Sequence, residues 1–225
     1  MKTAISISVG VLLIGTWVAV AAAPRPGGER VAAVAAARSA GLAPIGVEEP
    51  KYTYVGSKKC KMCHTDEHKS WAKTKMGQAL ETLKPGNAVE IKQEHGLDPG
   101  RDYSGDESCL PCHTTGFGHE GGYVIPDSED KKALRRAKKL AGVGCESCHG
   151  PGSAYIKVFE EIFRSKRQYK IEELYAVGLR KIEAPVCTTC HNDKGPTFDA
   201  AHPFDFAKMK TEDVHEHRPL KQRVN

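Results

Sequence analysis

The chain has 225 residues, a formal net charge of +5 at pH 7 and 27% charged residues, which is typical of a single soluble domain. Its basic residues are spread along the chain without an aromatic-basic motif, so the charge does not indicate nucleic-acid binding. Only 7% of the residues are aromatic, which leaves little side-chain material for a large apolar core.

The N-terminal segment has the pattern of an export leader. Residues 4–23 are apolar after the single positive charge of Lys2, which predicts a signal peptide over residues 1–23 with cleavage near residues 21–23. The apolar stretch is also long enough to cross a bilayer, so a retained leader would be a membrane anchor. Residues 24–50 are rich in Ala, Pro and Gly and predict a flexible linker, which leaves residues 51–225 for the folded domain.

Four copies of the pentapeptide Cys-x-x-Cys-His follow the linker, and they contain all eight cysteines of the chain. In this motif two thiols form thioethers to the edge of a haem and the adjacent His binds its iron. Cysteine pairs also bind zinc, form disulfides or act as redox couples, but none of those sites requires a His after every second Cys. The sequence therefore predicts four covalently attached haem c groups. The attachment residues are Cys60, Cys63, Cys109, Cys112, Cys145, Cys148, Cys187 and Cys190, and the proximal iron ligands are His64, His113, His149 and His191.

The segments between the motifs predict short helices and irregular loops. In chain order they are an extended segment or strand at residues 52–55, a helix at 60–83, a glycine-rich loop at 116–122, a basic helix at 131–140 and one or two amphipathic helices at 154–177. The basic helix is either a solvated face or a docking patch for an acidic redox partner. The predicted fold is mainly α with long irregular loops, organised around four haems. Because the porphyrins would supply much of the buried surface, we expect the haem-free chain not to fold.

Several local sequences carry a family resemblance. They are Ser70-Trp71, Leu83-Lys84-Pro85, Leu97-Asp98-Pro99, Gly116-Phe117-Gly118 with Gly121-Gly122-Tyr123, the run over residues 142–152, and His215-Glu216-His217. Over residues 54–218 the chain resembles the tetrahaem cytochrome c-554 family, whose founding members accept electrons from hydroxylamine oxidation in nitrifying bacteria. It is also similar to the OmcE-like tetrahaem surface cytochromes, which polymerise into conducting filaments. The resemblance implies a multihaem cytochrome c fold.

Each six-coordinate iron needs a second axial ligand, and six histidines lie outside the four motifs. They are His68, His95, His119, His202, His215 and His217. The resemblance implies that His215 ligates the first haem, with His217 as the alternative; the other interpretation is a solvated tail.

The remaining haems depart from the pattern of the family. The second haem of the family is five-coordinate, and the resemblance places His202 where it would close that open iron face. Met76 stands where the family has the ligand of its third haem; it either ligates iron or packs against porphyrin, and in the second case His68 replaces it. The family's ligand for the fourth haem has no counterpart here. His119, His95 or a neighbouring subunit would supply it, and we favour His119 because His95 is expected to be more exposed.

These observations predict an exported tetrahaem cytochrome, periplasmic or at the cell surface, that carries electrons between redox partner proteins. No catalytic residue is predicted, and contact with a membrane is expected only if the leader is retained. One alternative is a haem enzyme that reduces nitric oxide or hydroxylamine at a five-coordinate iron; another is a filament of copies of this chain. Four internal distal ligands favour a discrete carrier, a ligand borrowed from a neighbour favours the filament, and an open iron face favours catalysis.

Overall fold

A computed structural model describes residues 52–209 and 214–224 of the chain. These residues belong to one compact unit, Pro50–Asn225, and the predicted signal peptide and linker lie outside them. The described helices are α1 (Ser57–Cys60), α2 (Thr65–Trp71), α3 (Ala79–Thr82), α4 (Val89–Glu94), α5 (Leu110–His113), α6 (Lys131–Leu140), α7 (Cys145–His149), α8 (Tyr155–Ser165), α9 (Ile171–Tyr175), α10 (Ala184–Thr188) and α11 (Phe206–Met209). The strands are β1 (Tyr169–Lys170) and β2 (Arg223–Val224). The fold is mainly α with little strand, as predicted.

Each Cys-x-x-Cys-His motif folds into a helical turn. The backbone N–H of the second cysteine donates to the carbonyl of the first in three motifs, at 3.1 Å from Cys63 to Cys60, 3.2 Å from Cys112 to Cys109 and 3.1 Å from Cys190 to Cys187. In the third motif all five residues are helical and form α7. Residues three and four apart lie on one face of a helix, so this turn presents both thiols and the imidazole on the same side.

The single helix predicted at residues 60–83 is wrong. Its residues form the end of α1, then α2 and α3, with turns between them. His64 leaves the helical conformation, with φ −113° and ψ 56°, at the end of the first motif. A second break follows α2, where the chain packs so closely that a Cβ on Gly77 would lie 2.5 Å from the Trp71 carbonyl oxygen. The apolar periodicity of the segment does not reveal either break.

Two small apolar clusters hold the helices together. The first contains Leu80, Leu83, Tyr103, Leu110, Tyr123, Ala137 and Leu140, and the second contains Tyr155, Ile162, Tyr169 and Leu174. The basic helix predicted at residues 131–140 is confirmed as α6, and the amphipathic segment at 154–177 forms the two helices α8 and α9.

The C-terminal segment returns to the second cluster. Strand β2 pairs in parallel with β1, with Arg223 opposite Tyr169 and Val224 opposite Lys170. Among residues 52–209 and 214–224, no helix has the length and apolar composition needed to cross a membrane.

Candidate haem sites

The four motifs lie together in two pairs. The thiols of Cys60 and Cys145 lie close enough to interact, which brings the first motif next to the third. The thiols of Cys112 and Cys190 are likewise close, and the Cys190 Sγ lies 3.9 Å from the Pro111 carbonyl oxygen, which brings the second motif next to the fourth.

A cavity of about 730 Å³ lies between the first and third motifs. Its wall includes both thiols of the first motif, both thiols of the third, and the imidazoles of His64 and His149. Aromatic and aliphatic side chains complete it, among them Trp71, Val143, Ile156, Phe159 and Leu179. Thiols for thioether bonds, imidazoles for iron and an apolar lining for the macrocycle are the groups that a covalently bound haem needs, so these residues fit haem c.

His149 is the most enclosed of the proximal ligands. Burial and, to a smaller extent, the nearby imidazoles of His215, His64 and His217 lower its pKa to about 4. The ring is therefore neutral near pH 7 and keeps a lone pair for a metal. His64 is half-buried, and its ring lies 5.6 Å from the ring of Phe159.

The second motif has an imidazole whose orientation is fixed by the chain. Nδ1 of His113 lies 2.7 Å from the carbonyl oxygen of Ala79 and 3.3 Å from Oγ1 of Thr82. A backbone carbonyl only accepts, so Nδ1 carries the proton and Nε2 keeps its lone pair. Iron-binding histidines commonly have this arrangement, because the outer hydrogen bond fixes both the tautomer and the ring.

In the fourth motif the proximal imidazole lies against an aromatic ring. The rings of His191 and Phe204 stack with their centroids 4.5 Å apart and their planes at 18°. His202, two residues before Phe204, is exposed and its Nδ1 lies 2.6 Å from Oδ2 of Asp199. That carboxylate raises the pKa of His202 and holds Nδ1, which leaves Nε2 as the outward nitrogen.

Four of the predicted distal ligands line the same cavity as the first and third motifs. They are His68, Met76, His215 and His217. Met76 was expected on the helix predicted at residues 60–83 but lies in the turn after α2. Its carbonyl accepts the N–H of Val143 at 2.9 Å. The donors predicted for the first and third haems thus line the cavity between the first and third motifs, and their assignment to either haem stays a prediction.

His119 lies elsewhere. Its side chain is exposed, and its ring is 6.3 Å from that of Tyr54. His95, at the C-terminus of α4, is half-buried. The expectation that His95 is the more exposed of the two is therefore wrong, because its position at the end of a packed helix shields it more than the glycine-rich loop shields His119. The assignment of His119 to the fourth haem stays a prediction.

Sequence reasoning missed Glu146, which lies between the two cysteines of the third motif. The side chain is fully buried, and its carboxylate accepts the N–H groups of Val55 at 3.0 and 3.1 Å, Gly56 at 2.7 Å and Gly152 at 2.6 Å. Burial raises its pKa, while the three N–H donors oppose that change. The carboxylate thereby fastens the segment before the first motif to the third. The sequence signal that could have indicated this role is an acidic residue inside an attachment motif that is itself directly preceded and followed by a glycine.

Comparisons with known proteins agree with this arrangement. Residues 59–150 match the family described as cytochrome c554 and c-prime. The chain is 36% identical over 188 residues to cytochrome c-554 of Nitrosomonas europaea, covering 74% of this chain and 77% of that protein. The solved structure of the reduced state of cytochrome c554 from Nitrosomonas europaea superposes with a TM-score of 0.67 at 33% sequence identity, covering 78% of this chain and 91% of that one.

Proposed function

Because this chain belongs to the cytochrome c-554 family and is a c-type cytochrome of electron transfer, we propose that it is an exported tetrahaem carrier that passes single electrons between redox proteins. The observation that carries the proposal is the pairing of the attachment motifs. Cysteines of the first and third motifs lie close together, as do cysteines of the second and fourth. Two attachment sites this close favour electron exchange within each pair.

The chain holds and orients its cofactors in this proposal. Bound haem supplies the one-electron iron chemistry. The buried imidazole of His149 and the fixed ring of His113 would present lone pairs to iron, while Glu146 fixes the separation of the first and third motifs. Neither a bound organic substrate nor a catalytic side chain is needed.

The test is an electron count. We expect four covalent haems per chain after denaturation, and four electrons per chain in a coulometric titration of the folded protein. The double variant Cys187→Ala/Cys190→Ala should lose one haem and one electron. Fewer than four haems in the unaltered protein, or four haems that do not exchange electrons reversibly with a mediator, would contradict the proposal.

The partner in our proposal has an acidic surface and docks on α6. Six exposed cations cover this helix: Lys131, Lys132, Arg135, Arg136, Lys138 and Lys139. The side chain of Asp130 caps the helix by accepting the N–H groups of Lys132 and Ala133, and Ala137 and Leu140 anchor its inner face. None of the six cations forms an ion pair with a carboxylate among the described residues. Their charge is thus available to a partner, and it would act mainly on the rate of association.

Charge reversal on α6 tests the docking surface. The triple variant Lys131→Glu/Lys132→Glu/Arg135→Glu should slow reduction by an acidic one-electron donor, such as a plant-type ferredoxin, by about tenfold at low ionic strength. The control makes the same charge change elsewhere, at the exposed residues Lys73, Lys157 and Lys208. The two variants should converge at high salt, where the charges are screened. Equal rates for both variants at low salt would exclude α6 as the docking site.

Export, filament assembly and small-molecule reduction differ in their support. Export follows from the predicted leader and would be tested by the N-terminal sequence of the mature protein. Assembly into a filament stays a prediction, since neither the described residues nor the relatives support it. The relatives do not favour the enzymatic alternative.

A further inference from the structure

We propose that the docking surface for an acidic partner continues from α6 onto α1, and that electrons enter this chain through the haem of the first motif. The inference rests on the proposed function, because it assumes haem at the first motif and an acidic partner on α6. It deepens that function by naming the entry site among the four motifs.

Helices α1 and α6 are in direct contact. Gly56 directly precedes α1, and a Cβ at this position would lie 2.9 Å from both the Cβ and the carbonyl oxygen of Lys139. Lys139 is in the last turn of α6. The C-terminal end of the basic helix therefore lies against the start of the helix that contains Cys60.

Three further cations extend the basic surface toward the first motif. Lys58 and Lys59 on α1 and Lys61 just after it are exposed. None of the three forms an ion pair with a carboxylate in the part of the chain that the structure describes. Lys138 and Lys139 lie in the last turn of α6, so the cations of the two helices adjoin.

The first motif is open to the surface beside these cations. Cys63 is exposed, whereas the other seven cysteines are partly buried. Met62 stands between the two cysteines of the motif and is 63% exposed, yet it also lines the cavity, as the exposed Lys59 does. These two side chains therefore mark a mouth of the cavity. An apolar centre with a charged rim is a common arrangement in protein interfaces.

The second motif is the rival entry site, because its Leu110 belongs to the same apolar cluster as Leu140 of α6. Its approach has the opposite charge. Residues 101–108, directly before the motif, contain one cation, Arg101, and three acidic residues, Asp102, Asp106 and Glu107. Hydrogen bonds from nearby serines lower the pKa of Asp102 and Asp106, so both are negatively charged at neutral pH. An acidic partner is repelled there and attracted to the first motif.

The transfer itself is a one-electron exchange. In the docked complex the reduced donor loses one electron and the ferric haem attached to Cys60 and Cys63 gains it, with no bond formed or broken. Because the thiols of Cys60 and Cys145 lie close together, the electron then has a short route to the third motif.

Methionine methyl groups of the haem-loaded protein report the docking site directly. The probe is gallium-substituted plant-type ferredoxin, which has the acidic surface but does not exchange electrons. In a titration at low salt, the ¹³C-methyl signal of Met62 should shift or broaden and recover at high salt. Met209, on α11, is the internal control and should not respond. A Met62 signal that changes no more than that of Met209 would overturn the inference.

Charge reversal on α1 tests the same surface through kinetics. Lys58→Glu/Lys59→Glu/Lys61→Glu should slow reduction by ferredoxin by about tenfold at low ionic strength. The control is the equal charge change at the exposed residues Lys73, Lys157 and Lys208. Equal rates for the two variants would overturn this inference alone if the α6 variant is still slow. If charge reversal on α6 also has no effect, the proposed docking surface itself fails.

Removal of one haem tests the entry site. Cys60→Ala/Cys63→Ala should lose the fast phase of reduction by ferredoxin, although gallium-substituted ferredoxin still binds. A fast phase that persists in this variant would show that electrons enter at another motif, and it would leave the electron count of the unaltered protein untouched.

Discussion

The carboxylate of Glu146 accepts the backbone N–H of Gly56 at 2.7 Å, across 90 positions of the sequence. The same carboxylate accepts N–H groups from Val55 and Gly152, so one buried side chain joins the segment that precedes the first attachment motif to the third motif. Since Cys60 follows directly on this segment in α1, Glu146 determines how closely the two motifs approach.

Glu146→Gln should therefore destabilise the haem-loaded protein. The amide replaces one accepting oxygen with an NH₂ group that faces backbone N–H donors, so at least one buried hydrogen bond is lost, at a cost of about 1–3 kcal/mol in the free energy of unfolding. Denaturant unfolding measures the change. Glu107→Gln, at an exposed position, is the control and should change stability by less than about 0.5 kcal/mol. Equal effects of the two variants would show that Glu146 does not fasten the motifs.

The loop after the second motif should tolerate no side chain at Gly122. A Cβ there would overlap the carbonyl oxygen of Gly116, which lies in the same loop. We expect Gly122→Ala to lower the free energy of unfolding by about 3 kcal/mol, because backbone must move to admit the methyl group. Gly105→Ala is the matched control, since no atom lies within 4 Å of the Cβ position there. A thermal unfolding midpoint that is the same in both variants would contradict this account of the loop.

The carboxyl group of Glu173, at the start of α9, should make the free energy of unfolding depend on pH in the acid range. The N–H of Lys170 donates to Glu173, and Arg167 pairs with the same carboxylate at 2.9 Å, so the pKa of Glu173 lies below its ordinary value of 4.5. A carboxyl group with a lowered folded-state pKa stabilises the protein above the unfolded pKa, and this contribution is lost as the pH falls through the folded value.

Glu173→Gln isolates that contribution. The difference in unfolding free energy between the unaltered protein and Glu173→Gln should be constant above about pH 5 and should shrink as the pH is lowered. Glu172→Gln removes the adjacent carboxylate, which makes neither contact among the described residues, and its difference should not vary in the same way. A pH-independent difference for Glu173→Gln would contradict the assignment.

Haem removal should abolish cooperative folding. The two apolar clusters are small, and the wall of the cavity between the first and third motifs would be exposed to water without its cofactors. We expect the chain produced without haem attachment to have reduced helix content and no cooperative transition in urea, because most of the apolar surface would have no partner. Far-UV circular dichroism measures both properties. A cooperative transition matching that of the haem-loaded protein would show that the polypeptide core is sufficient.

Local features were predictable from the sequence. The attachment motifs span five residues each, so their chemistry can be inferred without knowledge of the fold. The basic run at residues 131–140 forms α6, as its pattern predicts. The helix predicted at residues 60–83 failed because its breaks depend on the His64 backbone and on the close packing of Gly77 against Trp71. Neither feature alters the apolar periodicity on which the prediction depended.

The sequence by itself determined to which family the chain is similar, and it predicts which residues attach haem and which imidazoles are proximal, because covalent attachment requires a fixed spacing of neighbouring residues. Only the tertiary structure decided that the first motif lies beside the third and the second beside the fourth, that Glu146 fastens the first of these pairs, and that the ring centroids of His215 and His149 lie 6.4 Å apart. These relationships join residues far apart in the chain. Their geometry is set by packing and long-range hydrogen bonds, which leave no periodic signal in the order of the amino acids.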